Sequence, residues 1–124
     1  MKLQNHCIYT LDFNYLRLSD KQGEIEFKGS LNYHTLDLEL LKSITNGQIE
    51  LNEVNVFLSF LVQRHIDLIL GDVDINYIIT QRPILINRLK VILRKELQNV
   101  GLEFIDFKNV SLWVYGAIDH GVAL

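Results

Sequence analysis

Between Gln81 and Val114 the chain reads QRPILINRLKVILRKELQNVGLEFIDFKNVSLWV, and few folds are open to such a run. Pro83 suits the first turn of a helix, where its missing N–H would have no intrahelical partner. Leu85, Leu89, Ile92, Leu93, Leu97 and Val100 recur three or four apart and so share one helix face. Gly101 can take the left-handed conformation that closes a helix at little steric cost. From Leu102 to Tyr115 the residues turn aromatic and β-branched, without helix caps, which is the composition of a strand. The pattern predicts a long helix, a glycine stop and a strand.

Upstream the chain falls into a simple order. Cys7, Tyr9, Leu11, Phe13 and Tyr15 alternate with more polar positions, giving a first strand. Ser19 to Gly23 supplies turn residues. Ile25, Phe27, Leu31 and Tyr33 then lie on one face, with Gly29 among them. Glu24, Glu26, Lys28, Ser30, Asn32 and His34 lie on the other. Together these predict an antiparallel hairpin with one wet face. After Tyr33 the period changes. Leu36, Leu40, Leu41 and Ile44 fit a short helix closed by Asn46-Gly47. Val54, Phe57, Leu58, Leu61, Val62 and Ile69 define a longer one, with Asn52 as N-cap, Glu53 at its positive start and a stop near Gly71. Asp72 to Thr80 reads as a short extended piece or an irregular lead into the last helix.

The expected class is therefore α+β, a small antiparallel sheet of N-terminal hairpin plus C-terminal strand packed by about three helices. With 124 residues and 48% hydrophobic content, one domain over 1–115 can bury a core without disulfide staples. Residues 116–124 read as a flexible C-terminal tail. A single cysteine, Cys7, excludes an intrachain disulfide and a multi-cysteine zinc site, and fits a reducing, cytoplasmic setting. The first 18 residues mix charged with apolar positions and do not form a secretory signal. No run approaches the roughly 18 apolar residues of a spanning helix.

Three segments resemble the SPFH domain (band 7, or stomatin/prohibitin/flotillin). Phe27-Lys28-Gly29-Ser30-Leu31-Asn32-Tyr33, followed by Leu36-Asp37 and Leu40-Leu41, is similar to the family's strand leading into a short helix. The helix over 51–71 is similar to the family's first long helix. Leu89 to Leu112 resembles its closing helix-glycine-strand pattern, with Asn99-Val100-Gly101-Leu102 at the turn. The likeness spans most of residues 20–114 and looks most like the bacterial virion-core-protein-like group. Leu38 stands where the family's Asp-Pro pair has proline, and the chain as given carries neither a membrane hairpin nor a long coiled coil. The resemblance implies an SPFH-like fold, self-association and a role in organising a larger complex, commonly at a membrane.

Reaction chemistry is thinly represented. His6, His34, His65 and His120 are far apart, with no metal-ligand spacing. His65 shares a helix with Leu61 and Ile69 at four-residue spacing, so a packed or half-buried histidine is expected. Cys7 with a distant histidine would make a nucleophile–base pair, but a small buried apolar residue fits as well. Asp67, Asp72, Asp74, Asp106 and Asp119 could pair as carboxylates, yet capping and turn formation explain them. Gly71-Asp72-Val73-Asp74 lacks the downstream glycine and glutamate of a calcium loop. Gly116 to Gly121 has no phosphate-loop pattern. No catalytic residue, cofactor or metal is expected, and the chain is not read as an enzyme.

One concentration of charge stands out in a chain of formal net charge -3. Arg82, Arg88, Lys90, Arg94 and Lys95 crowd the last helix. They suit a solvated face, with cations near the negative end of the helix, or a contact for an acidic partner or anionic lipid headgroups. Nucleic acid is not expected, because the basic residues are few and no stacking platform is evident. The reading is a scaffold or assembly module with protein partners, cytoplasmic and peripheral to a membrane. The alternative is a small specific binding module, such as a toxin-neutralising immunity protein.

Overall fold

The computed structural model describes residues 1–17, 24–47 and 49–115, and the backbone of His120–Ala123. Strands β1 (Ile8–Arg17) and β2 (Glu24–Thr35) are followed by helices α1 (Leu38–Ile44), α2 (Leu51–Leu70), α3 (Ile75–Thr80) and α4 (Arg82–Gln98). Strand β3 (Leu102–Tyr115) and a short β4 (His120–Ala123) complete the chain. The strands form one antiparallel sheet in the order β1-β2-β3-β4. This is the expected α+β class. The hairpin turn foreseen at Ser19 to Gly23 lies outside the described residues. Of the stretch read as a flexible tail, His120–Ala123 pair along Ser111–Val114, and 116–119 and 124 lie outside the described residues.

The helical layer covers one face of the sheet. Leu11, Phe13 and Tyr15 of β1 and Ile25, Phe27, Leu31 and Tyr33 of β2 are buried, as their alternation predicts. They meet Val54, Leu58, Val62, Ile66 and Leu70 of α2 and Leu85, Leu89, Leu93 and Leu97 of α4. Burial of a leucine, isoleucine or phenylalanine contributes about 1.5–3 kcal/mol, so this continuous core sets the stability of the domain.

Strand β3 departs from simple alternation. Its pairing with β2 slips between Lys28 and Ser30, and again between Asn32 and Tyr33. Each slip sets an extra β3 residue against the partner strand, which is a bulge. Leu102 and Phe104 face the core, as do Val110, Leu112 and Val114 beyond the bulges, while Ile105 and Asp106 turn outward. Phe107, half-buried between them, joins an aromatic cluster in which it lies 5.2 Å from Phe104, 5.7 Å from Phe13 and 5.8 Å from Phe27. The first bulge depends on Gly29 and on Asn109, whose φ is 53°. Gly29 has φ +154°, and a Cβ there would sit 2.7 Å from the Cα of Val110.

Helix boundaries follow local chemistry. Asp37 caps α1, its Oδ1 accepting from Leu40 N–H at 3.1 Å. Asp74 caps α3, accepting from Asn76 N–H at 2.8 Å, so the segment read as extended or irregular closes into a helix of 6 residues. Helix α2 begins at Leu51 and not after Asn52. The N-terminal segment explains the shift: Leu51 N–H donates to Met1 C=O at 2.7 Å and Lys2 bridges Glu50. The face foreseen for α1 is only partly buried, since Leu41 is inside and Leu36, Leu40 and Ile44 are exposed.

Gly101 ends α4 with φ +85° and accepts at its carbonyl from the N–H groups of Leu36 and Asp37, both at 3.0 Å. A Cβ there would collide with the Asp37 carbonyl. Gly101→Ala is therefore expected to destabilise the domain by about 2 kcal/mol or more, from the φ penalty plus the clash. Urea titration checks this, and a loss below about 0.5 kcal/mol, ordinary for a surface change, would contradict it.

Candidate interaction surface

Two tyrosines fix the rotation of α2 on the sheet. Tyr33 Oη donates to Asn55 Oδ1 at 2.7 Å, and Tyr15 Oη donates to Asp67 Oδ1 at 2.8 Å. Asn55 Nδ2 reaches Thr10 C=O at 3.4 Å. Arg17, on the same edge, donates to the carbonyls of Leu70 and Val73 at 2.6 and 2.7 Å. These contacts hold one flank of α2 against β1. The helix cannot roll, so its opposite residues are held outward.

Several of those outward residues are large and apolar. On α2, Val56, Phe60 and Leu68 are 57%, 73% and 69% exposed, and on α4, Ile84 and Val91 are 46% and 62% exposed. Phe57, Leu61 and Ile69 of α2 are half-buried, as is Ile92 of α4, along the seam where the two helices pack. One groove of about 460 Å³ is lined by Ile69, Ile84, Asn87, Arg88, Val91 and Ile92. A second of about 250 Å³ is lined by Phe57, Phe60, Leu61, Arg64, His65 and Glu96. His65 Nε2 lies 3.7 Å from Glu96 Oε2 across the seam, and its side chain is largely buried, the half-buried packing its spacing predicts.

The five cations singled out in the sequence do not form one surface. Arg88 lines the larger apolar groove and Lys95 is exposed. Lys90 turns toward β3, its Nζ 3.2 Å from Asp106 Oδ1. That hydrogen bond, then the Phe107 N–H, holds the Asp106 carboxyl below the usual range. Arg94 lies over the Phe104 ring at 5.9 Å and lines a third cavity of about 280 Å³ with Leu36, Gln98, Leu102, Glu103 and Phe104. Arg82 is half-buried and donates through Nη1 to Ile79 C=O at 3.4 Å, and its Nε and Nη2 have no hydrogen-bond partner among the described residues.

The remaining candidates are dispersed as well. His6 and His34 rings are 5.9 Å apart, with His34 Nδ1 3.8 Å from Glu103. Cys7 is half-buried, its backbone bonded to Thr35 at both N–H and C=O. Asp67 and Asp74 are engaged by Tyr15 and by the α3 cap. Asp119 and the side chain of His120 lie outside the described residues. Among the described residues no group of three or more His, Cys, Asp or Glu side chains could hold a metal ion, and no helix is long and apolar enough to cross a membrane.

Sequence reasoning missed the outer face of α2 and α4. The signal was present: α2 carries Leu51, Val56, Phe60 and Leu68 beyond the residues its core stripe needs, and a helix apolar on more than one face expects a partner on each. Compared with known proteins, the sequence matches no family model and no curated protein.

Burial pushes the phenols of Tyr15 and Tyr33 well above their ordinary value, reinforced for Tyr15 by its bond to Asp67 and for Tyr33 by Tyr9. In the unfolded chain both would ionise near pH 10, so the folded state keeps protons that the unfolded state loses. The stability they contribute is present below about pH 10 and is lost as pH rises above it. Urea midpoints are expected to fall from about pH 9 to 12, and a Tyr15→Phe, Tyr33→Phe double variant is expected to flatten that slope. Equal slopes in the two proteins would refute the assignment.

Proposed function

We propose that this chain is a non-enzymatic assembly domain that associates with copies of itself and so organises a larger complex. The observation that carries the reading is the outer face of α2 and α4. Its five large exposed side chains leave roughly 500 Å² of apolar surface, near the top of the 300–600 Å² that marks the largest patch of a monomer. At about 25 cal/mol per Å² such a face costs on the order of 10 kcal/mol when left in water, which favours a partner. The likeness to SPFH domains in the strand-to-helix segment and at the Gly101 turn agrees with this role.

Light scattering across a concentration series checks it. The mass is expected to rise above the 14.4 kDa of one chain, and Phe60→Glu is expected to return it to one chain while far-ultraviolet circular dichroism stays unchanged. A strict monomer at every concentration would overturn the reading and favour a small binding module with one foreign partner.

A further inference from the structure

We infer that the second copy docks through the same α2–α4 face, in a closed two-fold dimer whose axis runs along the seam between the helices. This rests on the self-association proposed above and names its contact. An interface of standard size buries about 800 Å² on each partner, a little over half of it apolar. The outer face of α2 and α4 supplies that apolar share by itself. Among the described residues the other large exposed apolar side chains stand singly or in short groups, such as Leu36 with Leu40 and Ile44 of α1, at 37–40% exposed. No such group matches the α2–α4 face in area, so the surface best able to cover it is its own copy. An interface made of one patch facing itself is two-fold and closed.

The charges fit that arrangement. Lys90 and Arg94 are drawn to the β3 side by Asp106 and Phe104, so they do not oppose their counterparts across the face. Of the cations on this face, Arg64 and Arg88 line the grooves and Lys95 stands exposed beside Glu96, and Glu96 lines the smaller groove with Arg64. The His65–Glu96 contact places residue 64 of α2 and residue 96 of α4 at the same level along the seam. A two-fold axis along the seam sets α2 of one copy over α4 of the other without changing that level. Arg64 of each copy then meets Glu96 of its partner, making two equivalent ion pairs around the apolar centre. The dimer is a four-layer stack, with helices inside and a sheet on each outer face.

Charge reversal tests the arrangement, read by sedimentation velocity with circular dichroism as the check on folding. The wild-type chain is expected to reach twice 14.4 kDa and to grow no further. Arg64→Glu and Glu96→Arg, each alone, are expected to weaken the dimer about tenfold or more, as close interfacial charge pairs do. The two together in one chain restore both pairs reversed, and are expected to return the dissociation constant to within about threefold of wild type. Val91→Glu, on an exposed position, is expected to abolish the dimer whatever the fate of the Glu96 variant. A wild-type monomer would overturn the dimer and the assembly reading together. Assembly that continues unchanged in the Val91→Glu chain would overturn the α2–α4 contact alone. Growth beyond two chains, or a double variant no better than the singles, would overturn the two-fold arrangement and leave self-association standing.

Discussion

The phase of β3 against β2 is the constraint on which the rest of this molecule depends. Strand β2 is paired on both sides, and its twelve residues set the face on which the helices sit. Strand β3 must follow directly from α4 through Gly101, yet its apolar residues do not alternate in one phase from Leu102 to Val114. Two bulges reconcile the two demands. They turn Ile105 and Asp106 outward and return Val110, Leu112 and Val114 to the core. Because Gly29 leaves room against Val110, the backbones close at the first bulge, and Phe107 enters the aromatic cluster between the two. Without those slips Phe107 would turn to water and Asp106 and Lys108 would turn to the core, since Leu102, Phe104, Val110, Leu112 and Val114 share one phase of the strand.

From that sheet the outer surface follows. A helix on a sheet has one stripe to bury, and α2 meets that need with residues four apart from Val54 to Leu70. Tyr33 and Tyr15 then anchor Asn55 and Asp67 on its flank. With the stripe and one flank fixed, α4 packs on the other flank, and Phe60 and Leu68 have nowhere to go but out. The apolar outer face is thus a consequence of where α2 is pinned and of having more apolar residues than one stripe uses.

Much of the fold was legible in the sequence. The alternation of β1 and β2, the helical spacing of 54–69 and 85–100, and the left-handed Gly101 all rest on local chemistry, and each element stands where its pattern placed it. What was not legible needed tertiary contacts. The early start of α2 comes from the N-terminal segment bridging Glu50, which no local signal announces. The α3 helix comes from Asp74 finding Asn76, a cap that competes with an extended reading of Ile75, Tyr77 and Ile79. The surface was less legible than the fold. Charge drew attention to α4, but a linear sequence does not tell that Lys90 would turn to Asp106, or Arg94 to Phe104. The residues left exposed, Phe60, Leu68 and Val91, fall outside the stripes that the spacing picked out, and spacing alone does not say that apolar residues beyond a stripe gather into a second face.

The most direct measurement is an isotope-filtered nuclear Overhauser experiment on an equimolar mixture of methyl-labelled and unlabelled chains. Leu68 and Val91 lie on the two sides of the seam, at the level of the groove that Ile69 and Ile92 line. The two-fold arrangement predicts intermolecular contacts that link the methyl groups of Leu68 and Val91 and stay within α2 and α4. Intermolecular contacts arising instead from α1 or from the outer face of the sheet would contradict it, as would their complete absence at millimolar concentration.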